Sequence, residues 1–371
     1  MSTTAPWYAI ENVADVPSPA LLVYPDRVEQ NLKRMIERAG GTERLRPHVK
    51  THKMAQVVRM KRAAGITRVK AATLAEAEMC AAEGMPEVML SFPQTGPNVA
   101  RLLQLTQRFR DTQFATITDD PGHLLHLSAA FAAASSKIEV WLDIDVGQHR
   151  SGMPPDERAL ALYLQAHELP GTIAGGLHVY DGQVRDGDLT ARIDSGEKSF
   201  EPVANLIEKI RRAGLPMKRP ACGGTPTFPV HARQVDRDCC PGTCVFWDAS
   251  YAGKFPDLQF EFAALLLGRV VSRPVGNRVC IDLGYKSVSP DNPTIRVELL
   301  NVPEAKVCGQ WEEHLTVETP EAAKFSVGDP VFGVPFHVCP TVALHREAHI
   351  VRDGRVTETW PVTARDRRLT V

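Results

Sequence analysis

The sequence predicts an α/β fold, a (β/α)8 TIM-type barrel, plus a C-terminal antiparallel β domain. Three observations carry that expectation. Short β-like runs alternate with helix-forming segments through the first two thirds of the chain, and eight strand candidates fall in that region. From Leu265 onward the texture changes to runs rich in Val, Ile and Phe, punctuated by Gly, Pro and Asp.

The barrel strand candidates are Arg44–Lys50, Arg68–Ala72, Glu87–Phe92, Gln113–Thr118, Lys137–Asp143, Thr172–Tyr180, Pro216–Cys222 and a stretch within Gln234–Phe246. Between them, Leu74–Gly84 reads as an Ala/Glu-rich helix stopped by glycine. Pro97–Arg110 follows a Gly-Pro start, and Phe200–Gly214 again stops at glycine. A doubly wound open sheet is the competing architecture, but no GxGxxG follows the first strand. In the second region the expected strands are Leu265–Ser272, Arg278–Leu283, Thr294–Leu299, Pro330–Cys339 and Ala348–Val351. The early run Ala20–Tyr24 precedes a helix over Pro25–Ala39 and is assigned to the β domain. The expected division is therefore a barrel over 26–260 and a β domain from 1–25 and 261–371.

Composition narrows the function classes. In 371 residues, 43 Lys and Arg stand against 44 Asp and Glu, a net charge of -1, and nothing in that balance points to nucleic-acid binding or a polybasic membrane surface. Hydrophobic residues at 43% and charged residues at 23% fit an ordinary globular protein. No apolar stretch approaches the length of about 18 residues that spans a bilayer. Met1–Val16 carries acids and no apolar run, so no secretory leader is expected. The eight cysteines are scattered with no repeated CxxC, as in a reducing, cytoplasmic protein with mostly buried thiols.

Unusual polar residues cluster just after predicted barrel strands, where a (β/α)8 barrel carries its active site. They are Arg46–Lys53, Asp145–Gly152, His178–Gln183 and Cys222–Thr227. Gly223, Gly224 and Thr225 follow the seventh strand, where two glycines let backbone N–H groups approach a phosphate; an ordinary Gly-rich turn is the alternative. Lys50 ends the first strand between His48 and His52. A lysine enclosed there is suited to a Schiff base with a carbonyl cofactor, and a solvated loop lysine is the alternative. His337 and Cys339 are two apart, so on a strand they would share a face and could hold Zn²⁺; plain strand packing is the alternative.

The run Arg46-Pro47-His48-Val49-Lys50-Thr51-His52-Lys53 resembles the pyridoxal-phosphate site of the D-threonine aldolase/D-serine dehydratase family, fold type III enzymes related to alanine racemase. The resemblance continues through Ser18–Leu21, Ala72–Glu78, Asp145–Gly152, Tyr180–Gly182, Gly223–Pro226, Asp282–Lys286 and His337–Thr341. It implies that Lys50 is the Schiff-base lysine, Arg150 lies near the cofactor's phenolic oxygen and Tyr180 near its pyridine nitrogen. Gly223, Gly224 and Thr225 would hold the phosphate, and His337 with Cys339 a divalent metal, Zn or Mn. Candidate bases are His52 and Asp186.

There are two departures from the family pattern. Gln183 stands where members often carry histidine, and His-x-Cys at the metal pair is typical of dehydratases whereas aldolases commonly carry His-x-Asp. The resemblance implies a pyridoxal-phosphate- and metal-dependent lyase acting on D-β-hydroxy-α-amino acids. D-threonine aldolase chemistry comes first, and a dehydratase acting on D-serine, D-threonine or 3-hydroxy-D-aspartate second. An amino-acid racemase and a non-catalytic cofactor carrier are remoter readings. A small-molecule D-amino acid substrate and a homodimer follow from the resemblance.

Overall fold

The computed structural model describes residues 6–292, 294 and 296–371. Residues 1–5, the start of the stretch read as lacking a leader, and Ile295 of the expected Thr294–Leu299 strand lie outside the described residues. In chain order the strands are β1 (Ala20–Val23), β2 (Arg68–Ala71), β3 (Glu87–Leu90), β4 (Gln113–Thr118), β5 (Ile138–Ile144), β6 (Thr172–Val179), β7 (Ala221–Cys222) and β8 (Asp238–Cys239). They continue as β9 (Ala264–Ser272), β10 (Arg278–Ile281), β11 (Val297–Leu299), β12 (Lys306–Gln310), β13 (Leu315–Glu318), β14 (Pro330–Pro335), β15 (Glu347–Arg352) and β16 (Arg355–Pro361).

The chain divides into two compact units. One holds Lys33–Lys50, Val57–Gly242 and Asp366–Val371; the other holds the residues up to Leu32, Thr51–Gln56 and Thr243–Arg365. In the first, β2 to β8 pair in sequence order, all parallel. Residues 45–49 close the circle. Leu45 bridges Cys239 in parallel and His48 bridges Lys70, with Val49 N–H donating to the Lys70 carbonyl at 2.9 Å. This segment holds the expected first-strand position without a regular ladder, because Pro47 has no N–H to give. Met89, Ala115, Ile117, Trp141, Ala221 and Cys240 pack together in a buried cluster. The barrel interior is thus filled by side chains rather than open.

Helices separate the strands. Leu74–Ala82 is capped by side chains: Thr73 Oγ1 accepts the Glu76 N–H at 3.1 Å, and Glu76 Oε2 reaches back to accept the Ala72 N–H, one residue before the N-cap, at 2.6 Å. The helix expected over Phe200–Gly214 runs over Leu189–Arg212 instead. Its first half contains Gly196, where a Cβ would meet Val230 Cγ1 at 2.9 Å, so the glycine permits close packing there.

The second unit is a mixed sheet rather than a purely antiparallel one. Its strands run β12-β13-β10-β9-β1-β15-β16, with β14 pairing β9 and β11. The departure is β1, which pairs antiparallel with β9 and parallel with β15. Its sequence Ala-Leu-Leu-Val is buried at every position, as a strand hydrogen-bonded on both edges and covered on both faces requires. Leu22, Leu265, Leu267, Phe332 and Val334 form the heart of the adjoining core. Among the described residues, no helix is long and apolar enough to cross a membrane.

Candidate functional site

In the barrel unit, Lys50 follows the closing segment at its C-terminal end, and its side chain is exposed. Its backbone N–H donates to His48 Nδ1 at 3.2 Å, which makes that nitrogen an acceptor and directs the Nε2–H of His48 to Ser91 Oγ, 3.2 Å away. Arg150 lies on the loop after β5. That loop is shaped by Asp145, whose Oδ1 accepts the N–H groups of Gly147 at 2.9 Å and His149 at 3.0 Å. The Arg150 guanidinium carbon stands 4.8 Å from the centre of the Tyr180 ring, a cation–π contact that fixes both groups.

Gly223 has φ of +67° and donates its N–H to the Val179 carbonyl at 2.7 Å. A Cβ there would lie 2.5 Å from Thr227 Oγ1. At Gly224 a Cβ would press on the Tyr180 ring edge at 3.1 Å. Thr225 Oγ1 accepts the Gly242 N–H at 3.1 Å. Behind the loop stands a group whose role the Tyr180–Gly182 motif does not reveal. Buried Asp181 accepts from Thr227 Oγ1 at 2.6 Å and pairs with His231 Nε2 at 2.7 Å. Arg237 contacts His231 Nδ1 at 3.3 Å and Glu197 at 2.8 Å, so the loop rests on a fixed polar network.

These residues fit pyridoxal phosphate. A primary amine is open at a strand end, a two-glycine turn leaves space that any side chain would fill, and an arginine and a tyrosine stand in contact. Gly224→Val is accordingly expected to weaken pyridoxal-phosphate affinity by about tenfold or more, roughly 1.4 kcal/mol, with the far-ultraviolet circular dichroism unchanged. A fluorescence titration with the cofactor checks this, and unchanged affinity in the folded variant would move the phosphate elsewhere.

A second buried polar chain was also missed by motif reading: Lys70 Nζ lies 2.8 Å from His178 Nε2, and His178 Nδ1 lies 2.7 Å from Asp143 Oδ1. The sequence signals for it are a charged or ionisable residue inside each of three predicted buried strands and the place of His178 at the head of the polar cluster His178–Gln183.

The candidate bases differ in setting. His52 is fully buried, its Nδ1 accepts the Met54 N–H at 3.1 Å, and its ring stands edge-on to Phe246. Asp186 is partly exposed beyond Tyr180, and its backbone carbonyl accepts from Arg192 at 2.8 Å. Gln183 ties the loops after β5 and β6 together by donating to the Val146 carbonyl at 2.7 Å.

In the β-domain unit, His337 and Cys339 are not on a strand, which corrects the expected geometry. β14 ends at Pro335, His337 is the N-cap of a helix over Val338–Leu344, and Cys339 is in its first turn. The Val338 N–H donates to buried Asp248 Oδ2 at 3.2 Å, which fixes the turn from strand to helix. Pro340 is tolerated there because first-turn N–H groups have no intrahelical acceptor. The two side chains still meet. Burial alone would depress His337, but its hydrogen bond to Cys339, the charge there and Asp291 outweigh it and raise the imidazole to about 9.

Asp291 pairs with His337 Nδ1, and the hydroxyls of Thr51 and Thr243 lie 3.2 Å and 3.7 Å from Cys339 Sγ. Among the described residues, no group of three or more His, Cys, Asp or Glu side chains is arranged to hold a metal ion. The pair therefore offers one imidazole and one thiol, with a carboxylate orienting the imidazole. That donor set fits a borderline divalent cation completed by water or substrate.

Comparison with known proteins places these features in context. Residues 23–248 match the family described as alanine racemase, N-terminal domain, and residues 263–351 match a serine dehydratase domain family. The chain is 30% identical to D-threonine aldolase of Arthrobacter sp. over 361 residues, covering 95% of this chain and 94% of that protein. It is 27% identical to D-threo-3-hydroxyaspartate dehydratase of Delftia sp. (strain HT23), over 92% of this chain and 96% of that protein. The crystal structure of D-threonine aldolase from Filomicrobium marinum superposes with a TM-score of 0.88 at 29% identity, over 95% of this chain and 96% of that one.

Proposed function

Because the chain belongs to the alanine racemase N-terminal domain family and is an enzyme of the pyridoxal-phosphate-dependent aldolase and dehydratase type, we propose that it cleaves D-β-hydroxy-α-amino acids between Cα and Cβ. In this reading it acts as a metal-dependent D-threonine aldolase, giving glycine and acetaldehyde from D-threonine.

One observation carries the reading. Lys50 follows the segment that closes the barrel, and Thr51, the next residue, has its hydroxyl 3.2 Å from Cys339 Sγ. A racemase shares the lysine but has no use for an imidazole–thiol pair in reach of the residue that follows it. Pyridoxal phosphate, when bound, supplies an electron sink for the charge left on Cα. A divalent cation, Zn or Mn, supplies Lewis acidity at the β-oxygen.

The remaining roles belong to the chain. Lys50 holds the cofactor's aldehyde in the resting protein and is a base for Cα when free. Gly223, Gly224 and Thr225 take the phosphate, while Arg150 and Tyr180 orient the ring. His337 and Cys339 hold the cation, with Asp291 fixing the imidazole. Asp186, whose side chain is partly exposed, takes the β-hydroxyl proton in preference to His52, whose Nδ1 already accepts a backbone N–H.

Cys339 favours a second reading, since a His-x-Cys pair resembles the dehydratases. There Lys50 removes the Cα proton, the β-oxygen departs, and hydrolysis gives a 2-oxo acid and ammonia. Assays on D-threonine and D-threo-3-hydroxyaspartate with Mn²⁺ or Zn²⁺ test the choice. Glycine plus an aldehyde is expected from both substrates and nothing from L-threonine. A 2-oxo acid with ammonia would establish the second reading instead.

A further inference from the structure

Lys70, His178 and Asp143 form a buried chain inside the barrel that the roles above do not use. Lys70 is in register with Met89, a member of the interior cluster, and register neighbours on adjacent strands share a face. Its side chain therefore points inward. Lys70, His178 and Asp143 are each only 3% exposed. The chain ends at Ser151, one residue after Arg150, whose hydroxyl donates to Asp143 Oδ2 at 2.8 Å.

Donor and acceptor chemistry fixes the histidine. Burial would raise the Asp143 carboxyl, but its hydrogen bond with His178 and the Ser151 hydroxyl outweigh that and hold it low. An ionised carboxylate only accepts, so Nδ1 of His178 carries the proton. An amine or ammonium at 2.8 Å donates, so Nε2 must be a bare lone pair. Burial first, and the Lys70 charge second, push the His178 imidazole below its ordinary value. Lys50, Arg150, Arg46 and Cys240 are the other charged or titratable groups facing this chain.

His178 also stands two residues before Tyr180, whose ring contacts Arg150. A proton gained by this imidazole would place a second positive charge beside the groups that orient the cofactor.

We propose that Lys70 is a positioning residue for the cofactor site: its hydrogen bond to His178 Nε2 locks that imidazole as the neutral Nδ1–H tautomer, so the site keeps one charge state through the histidine titration range. The proposal rests on the placement of pyridoxal phosphate at Lys50 argued above.

The test is the visible absorption of the protein reconstituted with pyridoxal phosphate, followed from pH 5.5 to 8.5. The unsubstituted protein and Lys70→Arg, which still donates to Nε2, are expected to show no one-proton transition. Lys70→Met frees Nε2 and removes a competing charge while the Asp143 carboxylate still favours the imidazolium, so a one-proton transition should appear within this range. If Lys70→Met does not fold, Lys70→Ala leaves room for water and carries the same expectation. Asp143→Asn, which keeps the Lys70 donor, should remain flat, and the Lys70→Met/His178→Gln double variant should lose the new transition.

A flat profile in either folded Lys70 variant, or a transition that survives the loss of His178, overturns the proposal. Borohydride labelling of the unsubstituted protein separates this from failure of the underlying reading. A label on Lys50 with a flat Lys70→Met profile defeats the proposal alone, whereas a label on another lysine defeats the placement of the cofactor and the proposal with it.

Discussion

Lys50→Ala is expected to abolish the visible absorption of the reconstituted protein and to lower lyase activity by at least about 10³-fold, since it removes both the covalent anchor and a general base. Borohydride reduction of the unsubstituted protein should fix the cofactor on the peptide that contains Lys50. Lys53 is the informative control because it lies in the same motif. It sits at a positive φ of 52° with its carbonyl accepting the Ala364 N–H at 3.0 Å, a backbone held in a turn of the other unit. A label on Lys53 would reassign the anchor and detach Arg150, Tyr180 and the Gly-Gly-Thr turn from their roles.

The second large effect is expected from the metal pair. Chelation, His337→Ala or Cys339→Ser should reduce lyase activity by about 10²–10⁴-fold, the range spanned by losing a positioned group from a transition state. The visible absorption should persist, because none of the residues assigned to the cofactor is a metal ligand. Thermal stability should change little: the His337 side chain is 45% exposed and anchors no core. Asp291→Asn should weaken metal affinity by about 10–100-fold while leaving both ligands in place, as loss of a carboxylate that orients a ligating imidazole does. Isothermal titration with Zn²⁺ and Mn²⁺ checks this, and an unchanged affinity would remove Asp291 from the site.

The barrel strands were legible where short β-like runs alternate with helix-forming segments, even though charged residues such as Lys70 and Asp143 lie inside them. β2 to β6 fall within a residue or two of the expected ranges. Reading failed where the backbone breaks the pattern. Pro216–Cys222 contains two prolines without N–H groups, and only Ala221–Cys222 pairs. β12 and β16 carry mostly exposed or half-exposed residues, so edge strands of this kind leave no hydrophobic signature.

At the site, residues with special chemistry were legible by motif, but their partners were not. His337 and Cys339 were found, yet the apolar run Val-Phe-Gly-Val-Pro-Phe hid the point at which Asp248 turns the strand into a helix. Lys70 and His178 lie 108 positions apart in the chain. Only barrel closure brings them into contact, so no local pattern announces the pair. Asp181 stands in a quoted motif, but its work is done through Thr227 and His231, whose proximity again depends on neighbouring strands.

The central claim, that this chain breaks the Cα–Cβ bond of a D-β-hydroxy-α-amino acid, is tested most directly by D-threonine turnover in D₂O with Mn²⁺ added. The expected result at early times is one acetaldehyde per glycine, the glycine carrying a solvent deuterium at Cα, and remaining D-threonine with no deuterium at that carbon. In that outcome the Cα–H bond of the substrate stays intact while the bond to Cβ breaks. Threonine racemised and deuterated at Cα, or 2-oxobutanoate with ammonia and no glycine, would contradict it.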